Sequence, residues 1–386
     1  MLKHDLPLPD SDAIKHSDCV KNYVREYIKN AGGVIPFDLY MDLVLYAPGL
    51  GYYVTGSQKF GRSGDFVTAP EIGSLFSKCL ARQVAEVLHR IGHGGILEIG
   101  PGTGALAAGL LKELTILGVV PDQYALLEIS PYLKECQQKF LETQLGDQIE
   151  CCLWLDDLPL DWEGVVLVNE VLDAVPVTRF QVGSDLCPLL AEVCDSGKDF
   201  TLSWSPSNEL TIEAELIEKY KLPEGYTSEV SRRADAWVAE VASRLRRGLL
   251  LIIDYGYTED EYYHGERSTG TLMCHYRHRS HMDPFWLPGL QDITAHVNFS
   301  ALAKIGQSVG FDLAGFSNQE AFLLSLGLTD FVGINTDPRA RYQISREIQQ
   351  LATPFGMGGL FKVLGLSKNL DGELIGFSLR DRRETL

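Results

Sequence analysis

Gly95-Ile96-Leu97-Glu98-Ile99-Gly100-Pro101-Gly102-Thr103-Gly104-Ala105-Leu106 runs from a short apolar strand through a glycine turn into a helix that continues with Ala107, Leu110 and Leu111. Glycines in such a turn permit φ > 0 and let a ligand approach bare backbone. Working outward, residues 96–99, 124–128, 165–169 and 249–254 are short apolar runs bounded by turn residues and separated by helical or irregular stretches. That spacing predicts buried parallel strands of an α/β sheet. Before them, the pattern predicts helices over 18–30, after Pro36 and over 71–90, with a Gly- and aromatic-rich loop at 47–70 that reads as a lid. Between 169 and 249 lies an oversized gap, with antiparallel strands expected near 178–183, 188–194 and 199–204 and a helix near 229–247. Residues 361–366 and 374–379 are expected to be the last strands.

The chain has 386 residues, 45% hydrophobic and 22% charged, a composition suited to a folded protein of enzyme size. Its 34 Lys and Arg against 52 Asp and Glu leave a net charge of −18, which opposes general attraction to nucleic-acid phosphates or anionic membranes. An Arg- or Lys-bearing peptide suits this field better, although acidity also serves solubility. Cys19, Cys79, Cys136, Cys151, Cys152, Cys187, Cys194 and Cys274 form no CxxC pair and read as reduced thiols. His275, His278, His281 and His296 lack a carboxylate at ligand spacing, so no metal is expected; Asp292 and His296, four apart, fit an orienting pair in a helical turn. No apolar run approaches a membrane span, and the first residues lack a signal or transit pattern. A bacterial cytoplasm is the expected address, ahead of a mitochondrial matrix.

Two ligands fit the glycine turn. Gly102-x-Gly104-x-x-Ala107 imitates the dinucleotide fingerprint. Glu98-x-Gly100-x-Gly102-x-Gly104 is also the first motif of class I S-adenosylmethionine methyltransferases, with Pro101 and Thr103 completing the loop. Glu98 favours the second reading, because a carboxylate there suits a cationic amino group and repels a pyrophosphate. Glu128, at the end of the next strand, can accept both ribose hydroxyls in either case. In class I methyltransferases the corresponding loop often places an acid by the adenine amino group, and in Trp154-Leu155-Asp156-Asp157-Leu158 either Asp156 or Asp157 could serve. The strand at 164–168 then runs into Asn169-Glu170-Val171-Leu172-Asp173. Ligands of a doubly wound sheet meet the C-terminal ends of its strands, so Asn169, Glu170 and Asp173 are expected at the reactive end. Glu170 with Asp173 could orient a guanidinium bidentately; the competing reading has either acid capping the following helix or hydrogen-bonding the glycine loop.

The chain resembles the MidA-like class I methyltransferases, which include mitochondrial assembly factors that methylate an arginine in a core subunit of respiratory complex I. The resemblance rests on Lys59-Phe60-Gly61, Gly64-Asp65-Phe66-Val67-Thr68-Ala69-Pro70-Glu71-Ile72, the Glu98 loop, Asn169-Glu170 with Asp173-Ala174-Val175-Pro176-Val177, Asp254-Tyr255-Gly256, the segments 270–279 and 291–297, and Met357-Gly358-Gly359-Leu360-Phe361-Lys362-Val363-Leu364. It implies a Rossmann-like core with a mostly parallel seven-stranded sheet, S-adenosyl-L-methionine as donor with S-adenosyl-L-homocysteine as product, and a protein arginine as acceptor, in a client of the respiratory-subunit type. It also implies that Asp65, Thr68 and Glu71 belong to an N-terminal cover over the cofactor. Val171-Leu172 stand where two aromatics are expected, and Ser77-Lys78 where a Gly-Glu pair is. The expected organisation is an N-terminal helical and lid segment (1–93), a cofactor core (94–177), an inserted acceptor-side subdomain (178–247) and the remainder of the core (248–386). The rivals are a nicotinamide-linked oxidoreductase and a client-binding assembly factor without catalysis.

Overall fold

The computed structural model describes residues 6–55, 68–207, 209–334 and 337–386. The chain weaves between two compact units, one of residues 67–172, 235–256 and 299–386, the other of 1–66, 173–234 and 257–298.

The first unit is built on a mixed sheet. Its strands are β1 (Gly95–Ile99), β2 (Tyr124–Leu127), β3 (Cys152–Leu155), β4 (Trp162–Asn169), β5 (Leu245–Tyr257), β6 (Asp312–Asn318) and β7 (Phe361–Lys368). The eight-stranded sheet has a continuous path of seven in the order β6-β7-β5-β4-β1-β2-β3. Pairing is parallel from β3 through β5, and β7 enters antiparallel between β5 and β6. The expected mostly parallel α/β sheet is therefore present, and its strand order reverses beside β1, where doubly wound sheets take ligands.

Burial explains the apolar runs. Every residue of β1 is buried, as strands covered on both faces require. Helix α1 (Leu75–Ile91) buries Leu80, Val84 and Val87 in the core and ends on left-handed Gly92. Helix α2 (Ala105–Ile116) starts directly on Gly104 and buries Leu106, Leu110 and Leu111. Helix α3 (Pro131–Leu145) opens on Ser130, whose hydroxyl accepts the Leu133 N–H, with Pro131 in the first turn.

The second unit has its own apolar core, including Val20, Val24, Tyr40, Val44, Ala191 and Ile293. Its antiparallel sheet is centred on Pro188–Asp195, which pairs along one edge with Phe200–Pro206 and along the other with Thr178–Val182 and Val34–Pro36. These are the strands expected in the gap, joined by an N-terminal strand. The helix expected over 229–247 starts later, at Arg232, because Thr227–Val230 is a buried strand paired to Thr178–Val182. At the C-terminus, 374–379 is not a strand: Ile375–Phe377 forms a 3₁₀ turn that buries Phe377, and β6 is the actual partner of β7. Among the described residues no helix is long and apolar enough to cross a membrane.

Candidate active site

Gly100, Gly102 and Gly104 have φ of 65°, 55° and 82°, so the turn between β1 and α2 is left-handed at three alternate residues. Only glycine adopts this conformation without steric cost. Gly104 caps α2 with no side-chain hydrogen bond, leaving the first N–H groups of the helix for a ligand. A side chain at Gly100 would overlap Val171, so Val171, where an aromatic was expected, packs the underside of the loop.

Glu98 is buried on β1, its Oε2 accepting the Tyr124 hydroxyl at 2.6 Å. Burial pushes its carboxyl up to about 8, against the lowering effect of the Tyr124 hydrogen bond and with help from the nearby charge of Glu128. At neutral pH Glu98 is thus mostly protonated without a cation beside it. This weakens its expected repulsion of a pyrophosphate, so Glu98 alone does not choose between the two ligands. The shift also fixes a pH dependence. Between about 4.5 and 8 the folded state holds a proton that the unfolded chain has released, so stability falls as pH rises through that window. Glu98→Gln, which mimics the neutral acid, is expected to melt higher than the unsubstituted chain at pH 8.5 and to converge with it near pH 5. Thermal melts without donor across that range check this.

Glu128 follows β2, also buried. Its Oε1 accepts the Ser130 N–H at 2.8 Å and its Oε2 the Gln137 amide at 3.0 Å. Burial raises its carboxyl above the ordinary range, and these donors partly counter the rise. Gln137, which sequence reasoning missed, joins these elements. Fully buried on α3, its Nε2 also donates to the Gly102 carbonyl at 2.9 Å, while its Oε1 accepts the Trp154 indole N–H at 3.0 Å. One amide thus ties the glycine loop, the acid after β2 and the end of β3 together. Asp156 and Asp157 sit just beyond β3 on the surface. The Asp156 side chain is 93% exposed and pairs with Lys134; Asp157 accepts the Leu158 N–H at 2.8 Å.

The parallel register sets Ile99 against Val168, so Gly100 and Asn169 leave adjacent strands at the same end of the sheet. Glu170 has φ of 52°, an uncommon conformation for a residue with a side chain, and its N–H donates to the Ile253 carbonyl at 2.9 Å. Its Oε1 accepts from the Asn169 amide at 3.3 Å and from the Ala69 N–H at 3.4 Å. The helix that the Glu170 carboxylate meets here is the short Ala69–Ile72, which precedes it in the chain, where the competing reading had the following one. That helix carries half-buried Glu71 and starts after Thr68, while Asp65 lies outside the described residues. Asp254, fully buried, supports the same turn: its Oδ2 accepts the Leu172 N–H at 3.0 Å. Asp173 is buried on the 3₁₀ turn Leu172–Ala174 and begins the 173–234 segment of the second unit.

Among the described histidines, His275 lies on a strand whose next neighbour, Cys274, faces His281, and His296 stacks on Tyr257 at 5.0 Å and 13°. Asp292 lies in the strand Asp292–Thr294, so its spacing to His296 is not that of a helical turn. Its Oδ1 accepts the Tyr53 hydroxyl at 2.8 Å.

The profile of a family of S-adenosyl-L-methionine-dependent methyltransferases, the MidA-like family, matches residues 79–317. The chain belongs to this family. Its donor is S-adenosyl-L-methionine, and the nicotinamide and non-catalytic readings are not favoured. This methyltransferase is 44% identical to a COG1565 superfamily member from Burkholderia thailandensis bound to S-adenosyl-homocysteine, over 99% of this chain and 100% of that one, with a TM-score of 0.95. It is also similar to the mitochondrial protein arginine methyltransferase NDUFAF7 of Danio rerio (29% identity over 86% of this chain and 83% of the relative) and its Drosophila melanogaster homolog (29%, 90% and 86%). The loop geometry fits such a donor: the turn is left-handed at three glycines, the first N–H groups of α2 carry no side-chain cap, and buried acids stand on β1 and after β2.

Proposed function

We propose that this methyltransferase transfers the methyl group of S-adenosyl-L-methionine to a guanidinium nitrogen of an arginine in a protein client. The observation that carries the reading is the register of β1 and β4, which brings Asn169 and Glu170 out beside the glycine loop. The names of the similar mitochondrial proteins support the arginine acceptor. A client of the respiratory-subunit type and a cytoplasmic address complete the reading.

In this reading Gly100 to Gly104 hold the donor's backbone-facing side, and Glu98 ionises when the donor's ammonium comes beside it. Glu128, steadied by Gln137 and Ser130, accepts the ribose hydroxyls. Asp156 or Asp157 meets the adenine amino group, and Asp65, Thr68 and Glu71 contribute from the N-terminal cover. The bound donor supplies a methyl carbon made electrophilic by its sulfonium. Glu170, with Asn169 and Asp173, directs the guanidinium so that one nitrogen lone pair lies in line with that carbon. The new N–C bond forms as the S–C bond breaks, the sulfur keeps the electron pair, and the nitrogen proton leaves to solvent. Positioning is the main demand on the protein, since the leaving group needs no proton.

The test is transfer of labelled methyl from S-adenosylmethionine to proteins of a bacterial lysate, followed by acid hydrolysis. Label in methylarginine is expected; label in methyl-lysine, or in no amino acid, overturns the reading.

A further inference from the structure

The Gln137 amide uses both of its N–H groups and its oxygen. Nε2 donates to the Gly102 carbonyl at 2.9 Å and to Glu128 Oε2 at 3.0 Å, while Oε1 accepts the Trp154 indole N–H at 3.0 Å. These partners fix which way the amide faces, because an indole N–H only donates and a backbone carbonyl only accepts. Turned over, the amide would set oxygen against oxygen and N–H against N–H. The residue has no exposed surface, and its stem runs beside the glycine turn, where Cγ would lie 3.7 Å from a Cβ added at Gly104.

The effect on Glu128 follows from the acceptor sites of a carboxylate, two on each oxygen. Oε1 receives the Ser130 N–H and Oε2 receives Gln137, which leaves acceptor capacity for the two hydroxyls of a ribose. Gln137 is the only side chain among the described residues that hydrogen-bonds this carboxylate. Burial pushes the Glu128 carboxyl up; the N–H groups of Ser130, Gln137 and Ile129 oppose the rise, as does the charge of Lys134 on α3. Glu98 on β1 is the other charged neighbour, and the charge of Glu128 helps to raise it. Protonation of Glu128 would turn one of its acceptor oxygens into a donor. All of these groups belong to one unit.

Resting on the reading that Glu128 receives the donor's ribose, we propose that Gln137 is a positioning residue of the methyl donor's site, which sets donor affinity by holding Glu128 as an aimed acceptor of the ribose hydroxyls. The Gly102 carbonyl and the Trp154 indole brace the amide from two other elements, so its N–H stays directed at the carboxylate. A neutral amide suits this task. A lysine or arginine would satisfy the carboxylate but cancel its charge, and neither can accept the indole N–H.

Calorimetric titration of the full chain with S-adenosylhomocysteine tests this. Gln137→Met keeps the length of the side chain and removes all three hydrogen bonds. It is expected to weaken binding at least about tenfold near neutral pH, the scale of a lost hydrogen bond to a charged group. In a Glu128→Ala background the same substitution should cost no more than about twofold, since the amide then has no carboxylate to act through. A residue that only props the fold would lose the same factor in both backgrounds. The pH profile is a second readout. Without the Gln137 donor the Glu128 carboxyl rises further and keeps its proton to higher pH, so the gap between Gln137→Met and the unsubstituted chain should narrow from about pH 6.5 to about pH 8.5. Glu98 is present in both chains and cancels in that comparison. Gln137→Asn, one methylene shorter and still polar, should show the same pattern and carries the test if melting curves show that the methionine variant folds poorly. Affinity of the Gln137 variant within about twofold of the starting value, an equal loss in both backgrounds, or a gap that does not change with pH overturns the positioning role. If Glu128→Ala itself binds as tightly as the unsubstituted chain, the ribose reading falls and this role with it. If Glu128→Ala binds weakly and Gln137→Met does not, the ribose reading stands and only the role of Gln137 falls.

Discussion

Gly102→Val is expected to abolish measurable binding of S-adenosylmethionine, a loss of at least about a hundredfold, while the chain still folds. Two effects act together. Residue 102 sits at φ of 55°, and a β-branched side chain there costs on the order of 1–2 kcal/mol or more. The larger effect is on the ligand, since a branched side chain would stand where a donor must approach the backbone. It would also disturb the Gly102 carbonyl that accepts the Gln137 amide at 2.9 Å, loosening the grip of Gln137 on Glu128. Gly104→Ala is the control. Its φ is 82°, but an added Cβ meets Leu141, Phe140 and Gln137 at ordinary contact distances of 3.5–3.7 Å, so it carries backbone strain without a clash. Calorimetric titration with S-adenosylmethionine and S-adenosylhomocysteine, alongside melting curves, separates the two. Unchanged donor affinity in Gly102→Val would remove the glycine turn from the binding site.

The glycine turn and the central strands were legible because their physics is local. β1, β2, β4 and β5 are apolar runs closed by turns, and an acid at the end of a strand keeps its place whatever packs around it. The edges were less legible. β3 has exposed Leu153 between half-buried Cys152 and Trp154, so no continuous apolar run marks it. At 374–379 the apolar residues are real but serve as a plug: Phe377 fills space left by Gly315 and Gly365 on the neighbouring strands, contacts made by residues far away in sequence. Thr227–Val230 carries Glu229 into full burial, where Arg179 and Thr271 receive its carboxylate, and no local pattern announces that. Gln137 left no signal either, because a glutamine on an amphipathic helix ordinarily faces water. The Asp292 and His296 spacing misled for a related reason, since a separation of four residues has a helical meaning only within a helix.

Glu170→Gln and Glu170→Ala are both expected to lower turnover by at least about a hundredfold while leaving donor affinity within about threefold, because the lost charge-assisted contact belongs to the acceptor and acts in the transition state. The pair of variants separates two jobs of one carboxylate. Glutamine keeps an oxygen that can accept the Asn169 and Ala69 donors, so a role confined to holding the helix Ala69–Ile72 would survive in Glu170→Gln and fail in Glu170→Ala. Loss of turnover in both, in single-turnover methyl transfer to the labelled client, locates the effect in the negative charge. Full activity of Glu170→Gln would assign the residue to positioning alone. Glu170→Gly adds a thermodynamic check. With φ at 52° the side chain is held in a conformation costing about 1–2 kcal/mol that glycine does not incur, partly offset by the entropy glycine loses on folding. Glu170→Gly should therefore melt above Glu170→Ala, which loses the same side-chain hydrogen bonds but keeps a Cβ at that φ, and yet be equally inactive. Equal loss of turnover in two variants of different stability would tie that loss to the missing carboxylate at the end of β4 rather than to a weakened fold.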